Sequence, residues 1–340
     1  MGYRAGENSQ LLALAEALGW PFEIKRLAYR CYDFLPGLLR QASLLGVRRQ
    51  ASSPLRAPWP DLVISAGMRN EPVCRWIKQQ SGDISKLVHI GRTWADTAQF
   101  DLIITTPQYR LPQRDNILHN ATTLHRVKPQ RLQAAVAEWT ARLAQLPRPY
   151  ITVIIGGNSG PCTIGRRAAV QLARQASAMA RACGGSLLVT SSARTPDTAI
   201  DCFEATVDCP MHLYRWQADD ADNPYYAYLA LAEKIIVSGD SIAMLSEACA
   251  TGKPVSIFDL DPETTTTNGR DFRLGASLYR LLMRFGPQRL SRDIRLVHHQ
   301  LITSGHAAYL GQALPDKPPP PLEDVQQAVS RVRHLLKSES

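Results

Sequence analysis

Two stretches of this 340-residue chain carry residue types that could grip an anion. The first is Ile154-Ile155-Gly156-Gly157-Asn158-Ser159-Gly160, an apolar run entering a glycine-rich turn ahead of a helical pattern. Glycines let the backbone approach a ligand closely, and a helix start offers unpaired N–H groups to negative charge. The spacing is not G-x-G-x-x-G, so a dinucleotide fingerprint is not supported, and a tight turn without ligand fits equally. The second stretch runs from Ser238-Gly239-Asp240-Ser241 through Ile242, Ala243 and Met244 to Glu247-Ala248, then Gly252-Lys253-Pro254-Val255. Asp240 or Ser241 can cap the helix, leaving first-turn amides for phosphate oxygens. Glu247 lies about two turns in, on the face of Asp240 and Ala243, where a carboxylate can accept hydrogen bonds from both hydroxyls of a ribose. In isolation a solvated helix glutamate would be the plainer explanation; the fixed distance to Gly-Lys-Pro-Val makes the pattern specific.

Positioning these groups requires an α/β scaffold. Short β-branched runs alternate with helical patterns, which predicts parallel sheets. In the first half the expected elements are a helix over 8–18, strands at 22–27, 61–65, 86–90 and 101–105, and helices over 70–80 and 129–144. Gln145-Leu146-Pro147-Arg148-Pro149 then reads as a linker. The second half restarts with strands at 150–155, 186–190, 211–214, 234–238 and 254–258, with helices over 164–183, 196–206, 223–232 and 241–250. Pro315 to Pro321 is proline-rich, and a last helix is expected over 322–337. The expected domains are 1–146, basic and α/β; 150–312, α/β; and a terminal segment, 313–340, packing back on the first. Gly2 to Gly6 reads as the loop after a strand, so either the sheet edge is unusual or the start lies downstream of a first strand.

Composition narrows the functional classes. The apolar fraction of 45% suits two buried cores, and no run of about 18 apolar residues would cross a membrane. The opening residues lack a secretory apolar region, which points to the cytoplasm. The seven cysteines are single and unpaired in spacing, against zinc or redox dithiols. The net charge of +9 sits wholly in residues 1–149, while 150–340 balance at zero. Such a basic half suits an anionic surface. Phe34-Leu35-Pro36-Gly37-Leu38-Leu39-Arg40, with Leu44-Leu45 and Arg48-Arg49, sets leucines beside arginines as a segment on an acidic membrane would, although a core helix with a basic cap fits as well. No evident stacking or helix-turn-helix motif argues for nucleic acid.

The run from Asp240-Ser241 through Glu247-Ala248 to Gly252-Lys253-Pro254-Val255 resembles the donor-site helix of B-type glycosyltransferases. More closely, the chain resembles the bacterial and plant mitochondrial-fission, or elongated-mitochondria, family. That likeness rests on Gly6-Glu7-Asn8-Ser9-Gln10, Pro60 to Ser65, Phe100 to Ile103, Leu124 to Val127, Ile155-Gly156-Gly157, Leu187 to Thr190, Arg194-Thr195-Pro196 and Asn223-Pro224-Tyr225. It implies two doubly wound, Rossmann-like parallel-sheet domains facing a cleft, and a nucleoside diphosphate-sugar as substrate without cofactor or metal. By the same likeness Gly156, Gly157 and Asn158 face the donor pyrophosphate, with Thr190, Ser191, Ser192 and Arg194 near the same cleft. Ser241, Ile242, Ala243 and Met244 then close on the phosphates, Glu247 holds the ribose, and Tyr214 and Trp216 seat the base or serve as core aromatics.

For Asp259-Leu260-Asp261, sugar contact by either aspartate is favoured over a metal, with plain loop carboxylates equally compatible. A general base for transfer to a hydroxyl would be Glu7, with His89 and Asp96 as alternatives. The chain departs from the family at Gly91-Arg92-Thr93-Trp94 and Asn120-Ala121-Thr122-Thr123, loops on the expected acceptor side. The expected activity is glycosyl transfer to a cell-envelope or lipid-linked acceptor at the inner face of a membrane. A nucleotide-sugar epimerase or hydrolase, or a non-catalytic membrane-division scaffold, are the alternatives.

Overall fold

The computed structural model describes residues 1–2, 4–31, 41–160, 162–218, 220–260, 283, 285, 292–314 and 319–337. The leucine–arginine stretch 34–40, Asp261 and residues 315–318 of the proline-rich run lie outside them. In chain order the elements are α1 (Ala5–Leu18), β1 (Leu62–Ala66), α2 (Glu71–Gln80), β2 (Lys86–Ile90), β3 (Leu102–Thr105), β4 (Ile117–His119) and α3 (Pro129–Leu143). There follow β5 (Tyr150–Ile154), α4 (Arg166–Ala182), β6 (Ser186–Thr190), α5 (Asp197–Glu204), β7 (Met211–Tyr214), α6 (Tyr225–Leu231) and β8 (Lys234–Ser238). The described chain ends with α7 (Ile242–Cys249), β9 (Val255–Phe258), α8 (Arg295–Thr303), β10 (Ala308–Tyr309) and α9 (Asp324–Lys337).

Contacts divide the chain into two compact units, 1–126 with 323–340, and 127–322. The first holds a four-stranded parallel sheet in the order β1-β2-β3-β4. Its strands are continuous apolar runs because both faces are covered. On one face Leu11 and Leu14 of α1, Val88 and Ile90 of β2, and Ala328 and Val332 of α9 form one cluster. Glycine at position 19, φ 72°, gives α1 a left-handed stop. The terminal helix is fastened at its start. The Asp324 carboxylate accepts N–H bonds from Ala121 (2.8 Å) and Thr122 (2.9 Å) and the Thr122 hydroxyl at 2.5 Å. Thus Asn120-Ala121-Thr122-Thr123, one of the two departures from the family pattern, receives the last helix. Asp324→Ala leaves three donors, two of them buried, without their acceptor and is expected to cost about 2 kcal/mol in urea unfolding.

The strand expected at 22–27 is absent. Phe22 and Ile24 are 51% and 38% exposed, so the alternation of apolar residues faces water rather than a sheet neighbour. Around this segment the chain pairs irregularly: Leu27 N–H donates to the Met1 carbonyl at 2.9 Å, and Arg48 N–H to that of Ala28 at 2.8 Å. The short strands β4 and β10 and helix α8 were not expected from the sequence.

The second unit holds six parallel strands in the order β10-β9-β8-β5-β6-β7. Numbered within the unit, that is 3-2-1-4-5-6, the doubly wound dinucleotide-fold order. All five residues of β5 and of β6 are buried. Helix α4 covers one face with a stripe of Ala168, Ala169, Leu172, Ala173, Ala176 and Ala180, mostly alanines at helical spacing. On the other face Trp139 and Leu143 of α3 pack with Tyr150, Leu188, Ala227 and Tyr228. Helix α3 therefore belongs to this unit. The expected linker at 145–149 lies within the unit too, with the Tyr150 hydroxyl donating to the Leu143 carbonyl at 2.8 Å. A proline-rich interruption signals a chain reversal, which here joins α3 to the sheet it covers.

Candidate functional site

In a doubly wound sheet, ligands bind beyond the carboxyl ends of the strands where the strand order reverses. Here that point lies between β5 and β8, parallel neighbours in register from Ile151↔Lys234 to Ile154↔Val237. From it emerge Ile155-Gly156-Gly157 and Gly239-Asp240, the two stretches singled out by residue type.

The two loops are locked together by a buried carboxylate. Asp240, 1% exposed, accepts the Gly157 N–H at 2.8 Å and the Ser238 hydroxyl at 2.7 Å, and Ser238 Oγ in turn accepts the Gly156 N–H at 2.7 Å. The Asn158 N–H donates to the Arg194 carbonyl at 3.2 Å. The amides of Gly156, Gly157 and Asn158 are thus all committed within the protein. They hold the loop instead of facing a pyrophosphate, a role that the glycine spacing alone cannot distinguish. Nor does Asp240 cap α7: Ser241 takes the cap position at φ −105°, and its own side chain makes no cap hydrogen bond. The first-turn amides of α7, from Ile242 to Met244, therefore keep their donors directed out of the helix start. Burial pushes the Asp240 carboxyl above its usual value, opposed by the Arg194 guanidinium and by the Gly157 and Ser238 hydrogen bonds.

The turn after β6 completes this seat. Ser192 Oγ donates to the Gly156 carbonyl at 2.6 Å, Thr195 Oγ1 donates to the same oxygen, and the Ser192 N–H donates to Thr195 Oγ1 at 2.8 Å. The turn so fixed carries Arg194, whose guanidinium is half exposed and stands 3.4 Å from Asp240 Oδ2. Thr190 and Ser191 are buried. Ser191 Oγ accepts the Trp216 backbone N–H at 2.9 Å, and Trp216 is 37% exposed. Tyr214 is differently placed: its hydroxyl donates to Asp220 at 2.6 Å, and its pKa is pushed up to about 12 by burial and by Asp220.

Glu247 sits on α7, 9% exposed, and its Oε2 accepts the Tyr225 hydroxyl at 2.6 Å. It lies five residues beyond Ile242, about 7.5 Å along the helix axis from the first-turn amides. Lys253 is engaged by the protein's own backbone. Its ammonium donates to the carbonyls of Ala230 and Ala232 at the end of α6. Asp259 is exposed after β9. Among the described residues, no group of three or more His, Cys, Asp or Glu could hold a metal ion.

The candidate bases lie in the first unit. Glu7, in the first turn of α1, has its carboxylate against Gly67, which follows β1, and pairs with Arg4 at 3.1 Å. His89 is fully buried. The Arg92 carbonyl can only accept, so the Nε2 contact at 3.1 Å places the proton there and leaves Nδ1 to accept the Ser65 hydroxyl at 2.7 Å. Burial lowers its pKa to about 4. With both nitrogens occupied, His89 fastens the turn at 91–92. Asp96 accepts the Ala98 N–H at 2.9 Å as the cap of a short 3₁₀ turn and pairs with Arg114 at 3.5 Å. The turn after His89 is held from a second side, because the Trp94 and Ala95 N–H groups donate to the buried Glu71 carboxylate at 2.6 and 2.9 Å.

Sequence reasoning did not assign Ser238 and Tyr225. The pairing of a Gly-Gly turn with an Asp two residues after a second apolar strand was the available sign of the lock; nothing in the spacing ties Tyr225 to Glu247.

Comparison with known proteins agrees with this layout. Two solved structures share the fold over nearly the whole chain. The UDP-GlcNAc 2-epimerase from Methanocaldococcus jannaschii gives a TM-score of 0.51 at 10% identity, covering 99% of this chain and 98% of that one. The UDP co-structure of MnaA from S. aureus gives 0.51 at 10% identity, covering 99% and 95%. The fold shared with them is an α/β architecture of two parallel-sheet units, the second of them doubly wound. In sequence, the chain is 27% identical over 244 residues to the mitochondrial fission protein ELM1 of Arabidopsis thaliana, an alignment covering 65% of this chain and 56% of that protein. It is 26% identical over 287 residues to the uncharacterized protein RP120 of Rickettsia prowazekii (strain Madrid E), covering 75% and 80%. The family described as Mitochondrial fission ELM1 matches residues 5–336, and the chain belongs to that family.

Proposed function

We propose that the chain binds a nucleoside diphosphate-sugar on its second unit and transfers the sugar to a hydroxyl acceptor. One observation carries the reading. The uncapped amides at the start of α7 and the Glu247 carboxylate lie on one short helix at the switch point, and Arg194 is tethered to the loop that precedes it. Amides and guanidinium suit a diphosphate, and a carboxylate further along suits a ribose diol. Trp216, partly exposed at the end of β7, offers a ring face to the base.

In this reading Glu7 is the remaining candidate for the base that accepts the acceptor proton. The excess positive charge of residues 1–149 supports an acceptor carried on an acidic, lipid-linked anchor at the inner face of a membrane. The family's link to membrane fission keeps a second reading in place, a binding module that recognises the nucleotide without turning it over.

A thermal-shift screen against nucleoside diphosphates and their sugars tests the proposal. A ligand at a hundredfold excess over its Kd stabilises by about 2.7 kcal/mol, so one nucleotide class is expected to raise Tm by several degrees. Glu247→Ala is expected to remove most of that shift, and by leaving the Tyr225 hydroxyl without its acceptor it also lowers the melting temperature of the unliganded protein, so the shift is read against each variant's own unliganded Tm. A flat screen across all nucleotides overturns the proposal. Incubation with donor alone then separates transfer, which leaves the donor intact, from epimerisation or hydrolysis, which consume it; a stable donor even with acceptor extracts favours the binding module.

A further inference from the structure

The Gly-Lys-Pro motif and the Asn-Pro-Tyr motif are both prominent in the sequence, and neither touches the diphosphate seat. They meet instead at α6. This helix has seven residues, too few to hold its shape unaided, so its end contacts decide where its side chains stand. At its start Asn223 Oδ1 accepts the Tyr225 N–H at 3.0 Å. At its end the Lys253 ammonium donates to the carbonyls of Ala230 and Ala232, a cation placed where helix carbonyls and dipole favour one. Lys253 comes from the turn that follows α7, six residues after Glu247. The first residue of α6 returns the connection, with Tyr225 OH donating to Glu247 Oε2 at 2.6 Å. The phenol is the donor: burial and the Glu247 carboxylate hold it protonated well above the ordinary tyrosine range. Its ring is braced edge-on by Tyr226, centroids 5.5 Å apart at 79°.

We propose that Tyr225 is the positioning residue that aims the Glu247 carboxylate at the ribose, and that Lys253 keeps Tyr225 in place by anchoring α6. The inference rests on the ribose role of Glu247 and adds the residues that make that role specific. One hydroxyl fixes one carboxylate oxygen, which sets the plane of the group. A correctly set carboxylate discriminates a ribose from a 2′-deoxyribose, because a site built to receive a hydroxyl loses its partner in the analogue. An unaimed carboxylate still attracts polar ligands but distinguishes them poorly.

The test is calorimetric titration of the full chain with UDP and 2′-deoxy-UDP, with ADP and 2′-deoxy-ADP in parallel. Wild type is expected to prefer the ribo form by about tenfold, one hydrogen bond's worth. Tyr225→Phe is expected to bring the ratio near about twofold while affinity for the deoxy form stays the same. Glu247→Ala removes the preference, and adding Tyr225→Phe to it changes nothing more, as residues acting through one contact require. Lys253→Met is expected to reduce the ratio in the same direction. A preference retained by Tyr225→Phe but lost by Glu247→Ala overturns the inference and leaves the ribose reading standing. A preference retained by Glu247→Ala, or no binding of any of the four nucleotides, overturns the ribose reading and the inference with it. An intact ratio in Lys253→Met overturns the anchoring role of Lys253 alone. Near-ultraviolet circular dichroism of each variant, unchanged from wild type, separates loss of aim from loss of fold.

Discussion

Asp240→Ala is expected to cost about 3 kcal/mol, because two buried donors, the Gly157 N–H and the Ser238 hydroxyl, lose their acceptor together. The same change releases Arg194 from its ion pair and unties the loops after β5 and β8. Urea unfolding should therefore show a lower midpoint, and nucleotide binding should weaken beyond what the stability loss alone would cause. Asp240→Asn keeps the shape and isolates the charge. The wild-type carboxyl binds its proton more tightly folded than unfolded, since burial raises its pKa above 3.8. Wild-type stability contributed by this group therefore falls as pH climbs from the unfolded value towards the raised folded one. The Asp240→Asn protein lacks that slope. The stability gap between the two proteins is expected to narrow as pH rises above 3.8, when unfolding is followed at a series of pH values. A gap that widens with pH would mean that the ionised form is the better-held one.

Gly157→Ala is expected to be comparably severe for a different reason. A Cβ built there lies 2.2 Å from the Arg194 carbonyl oxygen and 2.3 Å from its carbon, both backbone atoms that cannot swing aside. Overpacking of this kind costs roughly 1–3 kcal/mol, and the close contact puts this site at the upper end. The added methyl should also push apart the turn that carries Arg194, so diphosphate affinity and stability fall together. At Gly156 the Cβ would meet the Asp240 carboxylate at 2.3 Å, a contact that replacing Asp240 with a smaller residue would relieve. Gly157→Ala should not be rescued by the same change, and the double variants compared in urea check the difference.

The second unit was largely legible in the sequence, because buried parallel strands write themselves as apolar runs. Tyr150–Ile154, Ser186–Thr190 and Lys234–Ser238 each stand within a residue or so of their expected places. Phe22–Leu27 alternates apolar with charged residues, yet Phe22 and Ile24 remain exposed, since β propensity records what fits a half-buried sheet and the segment joins neither sheet. The three-residue β4 and two-residue β10 are too short to show any period. At the site, residue types located both loops and Glu247, but not the direction of the amides. Asp240 reads as a cap from its place before α7; only the register of β5 against β8 brings it under Gly157. His89 and Asp96 carried suitable side chains, and their surroundings turned both into fastenings.

The placement of α9 has a consequence for the order of events on the ribosome. Residues 127–322 are continuous, so everything the second sheet needs is translated before the last helix emerges. Residues 1–126 lack Ala328, Val332 and Asp324 until all of 127–322 has been translated. Leu11, Leu14 and Val88 are left without their apolar cover during that interval. The first unit thus completes its core only after the second has been made, with apolar surface open in the meantime.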